Sequence, residues 1–225
     1  MIIYNRPSSL WFTYKEITLA QSLNNKSIDS LGSGKPSRAE AEEAVRTLIR
    51  WAGDNPGREG LYDTPRRVVE AYQEFFQGYQ EDPERILSRT FEEVEGYDEM
   101  VLLKDMRLES HCEHHMVPII GKAHIAYIPN RHIVGISKIA RLVDVFAKRL
   151  QTQEILTVQL ADTMDKYLRP KGVAVVIDAG HQCMTTRGVH KTDTNTVTSK
   201  MTGIFKSDPR TRAEFMNLAV AGCCN

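Results

Sequence analysis

The period of the hydrophobic pattern changes near Met100, and that change restricts the fold more than any other feature of the chain. Upstream, Val68, Val69, Tyr72, Phe75, Phe76 and Tyr79 recur in steps of three and four, which lines them along one face of a helix. Downstream the step shortens to two. Ala123, Ile125 and Tyr127 alternate with Lys122 and His124, the mark of a strand with two unlike faces. A helical part therefore precedes a domain that mixes strands and helices.

Turn and cap residues divide the chain further. Ser37-Arg38-Ala39-Glu40 fits a capping box that opens a helix to about Gly53, and Asp54-Asn55-Pro56-Gly57 breaks it. Thr64-Pro65 opens a second helix, with Thr64 as its cap, and Asp82-Pro83 punctuates again. Residues 100–110 and 117–128 read as strands. Ser137 reads as the N-cap of a helix to Leu150, with Ile139, Leu142, Val143 and Phe146 facing inward. A further helix runs from about Gln153 to Leu168, where Pro170 and Gly172 stop it. Val173 to about Thr186 reads as a strand, Thr194–Lys206 as its partner, and Asp208-Pro209 starts a last short helix. The order is strand, strand, helix, helix, strand, strand, an α+β arrangement with an antiparallel sheet. The expected divisions are an N-terminal arm over 1–36, a helical part over 37–95, a catalytic domain over 96–218 and a tail over 219–225.

Composition removes several function classes. Lys+Arg and Asp+Glu each total 29, so no basic excess points to nucleic acid. No run approaches the roughly 18 apolar residues of a membrane span, and residues 1–36 hold no apolar signal-peptide core. Four cysteines, at 112, 183, 223 and 224, are too few for a disulfide-built scaffold. The expected compartment is the cytoplasm, whose reducing conditions suit thiolate ligands. Cys223 and Cys224 read as incidental tail thiols.

Chemistry concentrates in His111-Cys112-Glu113-His114-His115, where three of the seven histidines and one cysteine fall within five residues. Thiolate and imidazole are preferred zinc ligands, and Cys-x-x-His spacing lets two of them converge from one turn. Cys183 is the remaining cysteine of the folded body and supplies a third ligand. Three protein ligands leave a corner for water, as in catalytic zinc sites; a fourth, from His114 or His181, would make the site structural. On a regular strand His181, Cys183, Thr185 and Arg187 share one face, which sets a proton-exchanging imidazole and an anion clamp beside the ligand. Ser137, Lys138 and Arg141 gather at one helix N-terminus, a place that suits phosphate. Glu154 opens the next helix, where its carboxylate can accept two parallel bonds from an amidine-like edge such as that of guanine. His-Glu-x-x-His is absent, and no Pro-Cys-x-x-Cys follows His111-Cys112-Glu113, which excludes metalloprotease and nucleobase-deaminase signatures.

The runs ESHCEHHMVPIIGKAHIAYIPN, VGISKIARLVDVFAKRLQTQE, HQCMTTRGV and TGIFKSDPRTRAEF resemble GTP cyclohydrolase I, over about residues 37–218. The resemblance implies a tunnelling fold that assembles into a barrel, two pentameric rings stacked as a homodecamer, and active sites between subunits. It implies conversion of GTP and water to 7,8-dihydroneopterin triphosphate and formate. By motif position, Cys112, His115 and Cys183 would hold zinc. His181 would donate a proton to the purine ring nitrogen, and His114 would be a second acid–base or positioning residue. Glu154 would anchor the guanine edge with Gln153 nearby, and Ser137 would meet the sugar. Lys138, Arg141 and Arg187 would bind the triphosphate, and Arg67 would reach that of a neighbouring subunit. Glu70 departs from members that carry a lysine there. The other readings are a related tunnelling-fold enzyme of pterin or deazapurine metabolism and a zinc- and GTP-binding assembly module without turnover.

Overall fold

The computed structural model describes residues 34–88, 90–91, 97–131 and 133–220; Cys223 and Cys224 and most of the N-terminal arm lie outside them. The chain divides into two compact units at the Val69/Glu70 junction. In the first, helix α1 (Arg38–Trp51) begins at the expected capping box: Ser37 Oγ accepts from the Glu40 amide, and Glu40 Oε2 accepts from the Ser37 amide at 2.7 Å. A 3-10 turn (Glu59–Leu61) leads to α2 (Thr64–Phe75), which runs across the junction. Thr64 is its first helical residue rather than its cap.

The second unit continues with a 3-10 turn (Gln77–Gln80), α3 (Pro83–Leu87) capped by Asp82, β1 (Thr90–Phe91), β2 (Val101–Cys112), β3 (Pro118–Ile128) and β4 (Ile133–Val134). Then come α4 (Ile136–Ala147), β5 (Leu150–Gln151), α5 (Gln153–Leu168), β6 (Gly172–His181), α6 (Gln182–Thr185), β7 (Asn195–Met201), α7 (Gly203–Ser207) and α8 (Pro209–Val220). Five strands form one sheet in the order β5-β2-β3-β6-β7, and β1 pairs with β4 separately. The long strands are antiparallel; β5 lies parallel to the end of β2, with Cys112 opposite Gln151.

Helices pack on both faces of the sheet, on the reverse face over part of it only. Ala123, Ile125, Tyr127, Val173, Val175 and Ile177 pack with Ile139, Leu142 and Phe146 of α4 and Leu156, Leu160 and Met164 of α5. On the reverse, Ala126, Ile128, Ala174 and Val176 meet Phe205 of α7 and Phe215 and Ala219 of α8. His124, on the face that the alternation makes polar, is buried as well, at 2% exposure. Each fully buried Leu, Ile or Phe contributes about 1.5–3 kcal/mol. Gly121 lets the strands close: a Cβ there would stand 2.1 Å from the Asp178 carbonyl and 2.5 Å from Ala179 Cα.

Four expected boundaries move. The cap of α4 is Gly135, so Ser137 stands inside the first turn. That helix ends at Ala147, where Arg149 turns back to donate from Nε to the Gly78 and Val145 carbonyls, freeing Leu150–Gln151 to pair as a strand. The strand expected to reach Thr186 ends at His181, and Gln182–Thr185 coils into one helical turn. The partner expected to reach Lys206 ends at Met201. Thr202 Oγ donates to Asp165, and Gly203, at φ +50°, starts α7 against the Lys171 carbonyl, where a Cβ would stand at 2.1 Å.

Candidate metal centre and adjoining cavity

Cys112 is the last residue of β2, and the β2–β3 turn carries His115 back over it. Two bonds close that turn: the Cys112 amide donates to the Val117 carbonyl at 2.9 Å, and the Met116 amide donates to the Cys112 carbonyl at 2.8 Å. Met116 takes a left-handed φ of 55° to complete it. The Glu113 amide donates to the Gln151 carbonyl at 3.0 Å, so β5 braces the turn from outside. Cys183 arrives from α6, directly after β6. A regular strand would have set His181 and Cys183 on one face; the helical turn instead presents Cys183 to Cys112.

The ligand atoms of Cys112, His115 and Cys183 lie within 4.8 Å of one another. Zinc bonds of about 2.3 Å to sulfur and 2.0–2.1 Å to nitrogen place tetrahedral donors roughly 3.5–3.8 Å apart, so a small contraction seats an ion. Burial, and next the neighbouring Cys112 sulfur, push the Cys183 thiol above its ordinary value. Two ionised sulfurs this close repel, and a divalent cation between them removes the repulsion. The donor set therefore fits zinc: two soft thiolates and an imidazole.

A cavity of about 240 Å³ opens beside the cluster, lined by Cys112, His114, Gln153, Glu154, His181 and Cys183 among others. His114 Nδ1 is 3.6 Å from Cys112 Sγ. Glu154 is exposed in the first turn of α5, whose cap Thr152 accepts from the Ile155 amide. Burial holds the His181 imidazole below its ordinary pKa, opposed by the Glu154 carboxylate, so it rests neutral near pH 7. A second cavity of about 220 Å³, between Phe75, His111, Ile120 and Lys148, contains none of the three ligands.

The expected anion-binding residues are placed differently. Arg187 reaches the cluster, with Nη1 3.0 Å from His115 Nε2. Ser137, Lys138 and Arg141 sit together in the first turn of α4 but do not line the cavity of their own chain. Arg67, in α2, is exposed and pairs with Asp63 at 3.4 Å. Gln153 lines the cavity beside Glu154, and its side chain, 1% exposed, is bonded to protein atoms. Its inward role escaped the sequence; the available signal was a polar pair, Gln153 and Thr157, on the face of α5 that also carries Leu156 and Leu160.

Residues 41–220 match the family described as GTP cyclohydrolase I. The GTP cyclohydrolase 1 of Hyphomonas neptunium is 60% identical over 184 residues, covering 82% of this chain and 89% of that protein. The corresponding protein of Maricaulis maris is 59% identical over 82% of this chain and 90% of its own length. That of Brucella canis is 59% identical over 82% and 86%.

Proposed function

The chain belongs to the GTP cyclohydrolase I family, and from that premise we propose that it converts GTP and water to 7,8-dihydroneopterin triphosphate and formate at the Cys112–His115–Cys183 cluster. The observation that carries the reading is the convergence of Cys112 and Cys183, two of the three ligands, with His181 and Glu154 on one cavity. A zinc ion held there supplies the Lewis acidity that makes water nucleophilic at neutral pH.

The remaining work falls to the chain's own groups. Glu154 accepts two parallel hydrogen bonds from the guanine N1–H and exocyclic amine, which fixes the purine with C8 toward the cluster. Releasing C8 as formate requires both of its C–N bonds to break, and each departing nitrogen needs a proton. His181 is neutral at rest, so it can take a proton as water adds and return it to the nitrogen that leaves. His114, beside Cys112, orients or relays at the same edge. Arg187 leaves His115 for the triphosphate.

Lys138, Arg141 and Ser137 serve the cavity of an adjoining subunit, and Arg67 acts across an interface in the same way. Two features support assembly into a closed ring and a stacked decamer. Among the described residues β7 pairs on one side only, with β6. Ile120 and Val197 remain 47% and 61% exposed on the sheet face opposite α4 and α5, apolar positions that a neighbour would cover. Two thiolate ligands suit a reducing compartment such as the cytoplasm.

The test is direct. Zinc-loaded protein incubated with GTP should release formate and, after oxidation, give neopterin fluorescence in equal amount. Protein that holds zinc and GTP but releases no formate would end the catalytic reading and leave only a binding role.

A further inference from the structure

The hydrogen bonds around Gln153 can be followed proton by proton, because each hydroxyl has one hydrogen and each carbonyl has none. Thr157 Oγ1 stands 2.7 Å from the Gln153 carbonyl and must donate to it. Its hydrogen is then spent, so in the 2.7 Å pair of Thr157 and Thr198 hydroxyls Thr198 is the donor. Thr198 Oγ1 is left as an acceptor toward the Gln153 side chain, 3.1 Å away. The carbonyls of Thr196, at 2.8 Å, and Ile177, at 3.1 Å, face the same corner of that amide. Three acceptors converge on one atom, which has to be the NH2. The flipped amide would set its oxygen against all three.

The opposite corner of the amide is therefore the oxygen, and it lies 2.7 Å from His181 Nε2. An oxygen with no hydrogen can only accept, so His181 Nε2 carries a proton. We propose that Gln153 is a positioning residue that fixes the hydrogen of the His181 ring on Nε2, leaving Nδ1 as the nitrogen that meets the substrate. This rests on the reading of His181 as the proton-transfer group. It deepens that reading by naming the working nitrogen and the residue that selects it. Gln153 can hold the ring firmly because its donors bind two adjacent strands, β6 through Ile177 and β7 through Thr196 and Thr198. At 1% exposure no water competes for the amide.

Solid-state 15N NMR of zinc-loaded protein labelled in histidine reads the tautomer without reference to turnover, with the His181 signals assigned by their loss in His181→Gln. Wild-type protein above pH 8 should show Nε2 protonated and Nδ1 bare. In Gln153→Met the two tautomers should mix, kcat should fall about 10- to 100-fold, and KM for GTP and bound zinc should change little. Gln153→Glu keeps an acceptor for His181 but loses every donor, and should retain the tautomer better than Gln153→Met. A wild-type ring protonated at Nδ1 overturns the proposal, even if Gln153→Met fails to fold. Loss of formate release in His181→Gln with an unchanged kcat and tautomer in Gln153→Met overturns the positioning role alone. Full release from His181→Gln would instead remove the proton-transfer reading beneath it.

Discussion

Arg187 and His115 occupy each other: the guanidinium Nη1 is 3.0 Å from the imidazole Nε2. Arginine only donates, so here the imidazole spends a lone pair on it. A neutral imidazole that ligates a metal has one lone pair on the ion and a hydrogen on its other nitrogen. Whichever nitrogen takes the metal, the bond to Arg187 breaks. Metal loading and this contact are thus exclusive, and loading frees the Arg187 guanidinium from His115. Arg187→Ala should accordingly tighten zinc binding by the metal-free protein about two- to fivefold, the worth of one exposed charge-assisted contact. It should also raise KM for GTP. Competition with a chromophoric chelator checks the first effect, and weaker zinc binding by the variant would refute the exclusion.

His124 makes stability depend on pH. It is 2% exposed, and its Nδ1 accepts from the Asp105 amide at 3.2 Å, where Asp105 bulges β2 with a φ of 57°. Burial lowers its pKa; Asp105 and Asp178 oppose that, while Lys104 and Lys122 add to it. A depressed folded value means that, below about pH 6.5, the unfolded chain binds a proton that the folded chain refuses. Stability should therefore fall as pH drops through 6.5 and level off below the folded value. His111 and His181 shift in the same direction, so the share of His124 is read by difference. Urea midpoints at pH 7.5 and 5.5 should lie closer together in His124→Gln than in wild type. An unchanged gap would remove His124 from the account.

Gly121 joins the sheet to the metal centre. Its missing side chain lets β3 approach β6 at Asp178 and Ala179, and β6 in turn delivers His181 and Cys183. The clash in Gly121→Ala is with backbone, which cannot swing aside. Overpacking of this kind costs about 1–3 kcal/mol. The strand carrying Cys183 should also be pushed from the one carrying Cys112. Urea unfolding should show the loss, and zinc per chain should fall with it. A variant of wild-type stability would mean that the sheet can give at this position.

Where sequence reasoning worked, the cause of the structure was local. The limits of α5 follow from Thr152 and Gln153 at one end and Arg169-Pro170 at the other, and Ser37 with Glu40 forms the capping box its spacing requires. Cys112, His115 and Cys183 were legible because few residue types can hold zinc and the chain offers few cysteines. What escaped was set by distant neighbours. Nothing in His-Gln-Cys-Met-Thr-Thr separates a strand from a helical turn; the end of β6 depends on Cys183 facing Cys112. Ser137 had the chemistry of a cap, but the chain enters α4 two residues earlier than a Ser137 cap requires, through Gly135. Gln153 looked like a residue beside a ligand, since its partners Ile177, Thr196 and Thr198 lie 24 to 45 positions away.

Glu154 offers the sharpest test of substrate identity, because its carboxylate is exposed at the cavity and its replacement leaves the core untouched. In the role proposed for it, its two carboxylate oxygens would accept from two donors of guanine, N1–H and the exocyclic amine. Glu154→Gln puts a donor where one of those donors must bind, so the pair becomes mismatched. A hydrogen bond to a charged group is worth about 1.5–3 kcal/mol, which makes the expected loss in kcat/KM for GTP roughly ten- to hundredfold. Inosine triphosphate lacks the exocyclic amine and should be a poorer substrate for the wild-type protein. The mismatch in Glu154→Gln weighs most against the substrate with two donors, so the preference for GTP should narrow in the variant. Circular dichroism and the urea midpoint should move by no more than the loss of one acidic group at a helix start, about 0.3–1 kcal/mol. An undiminished preference for GTP in Glu154→Gln would place guanine recognition elsewhere in the cavity.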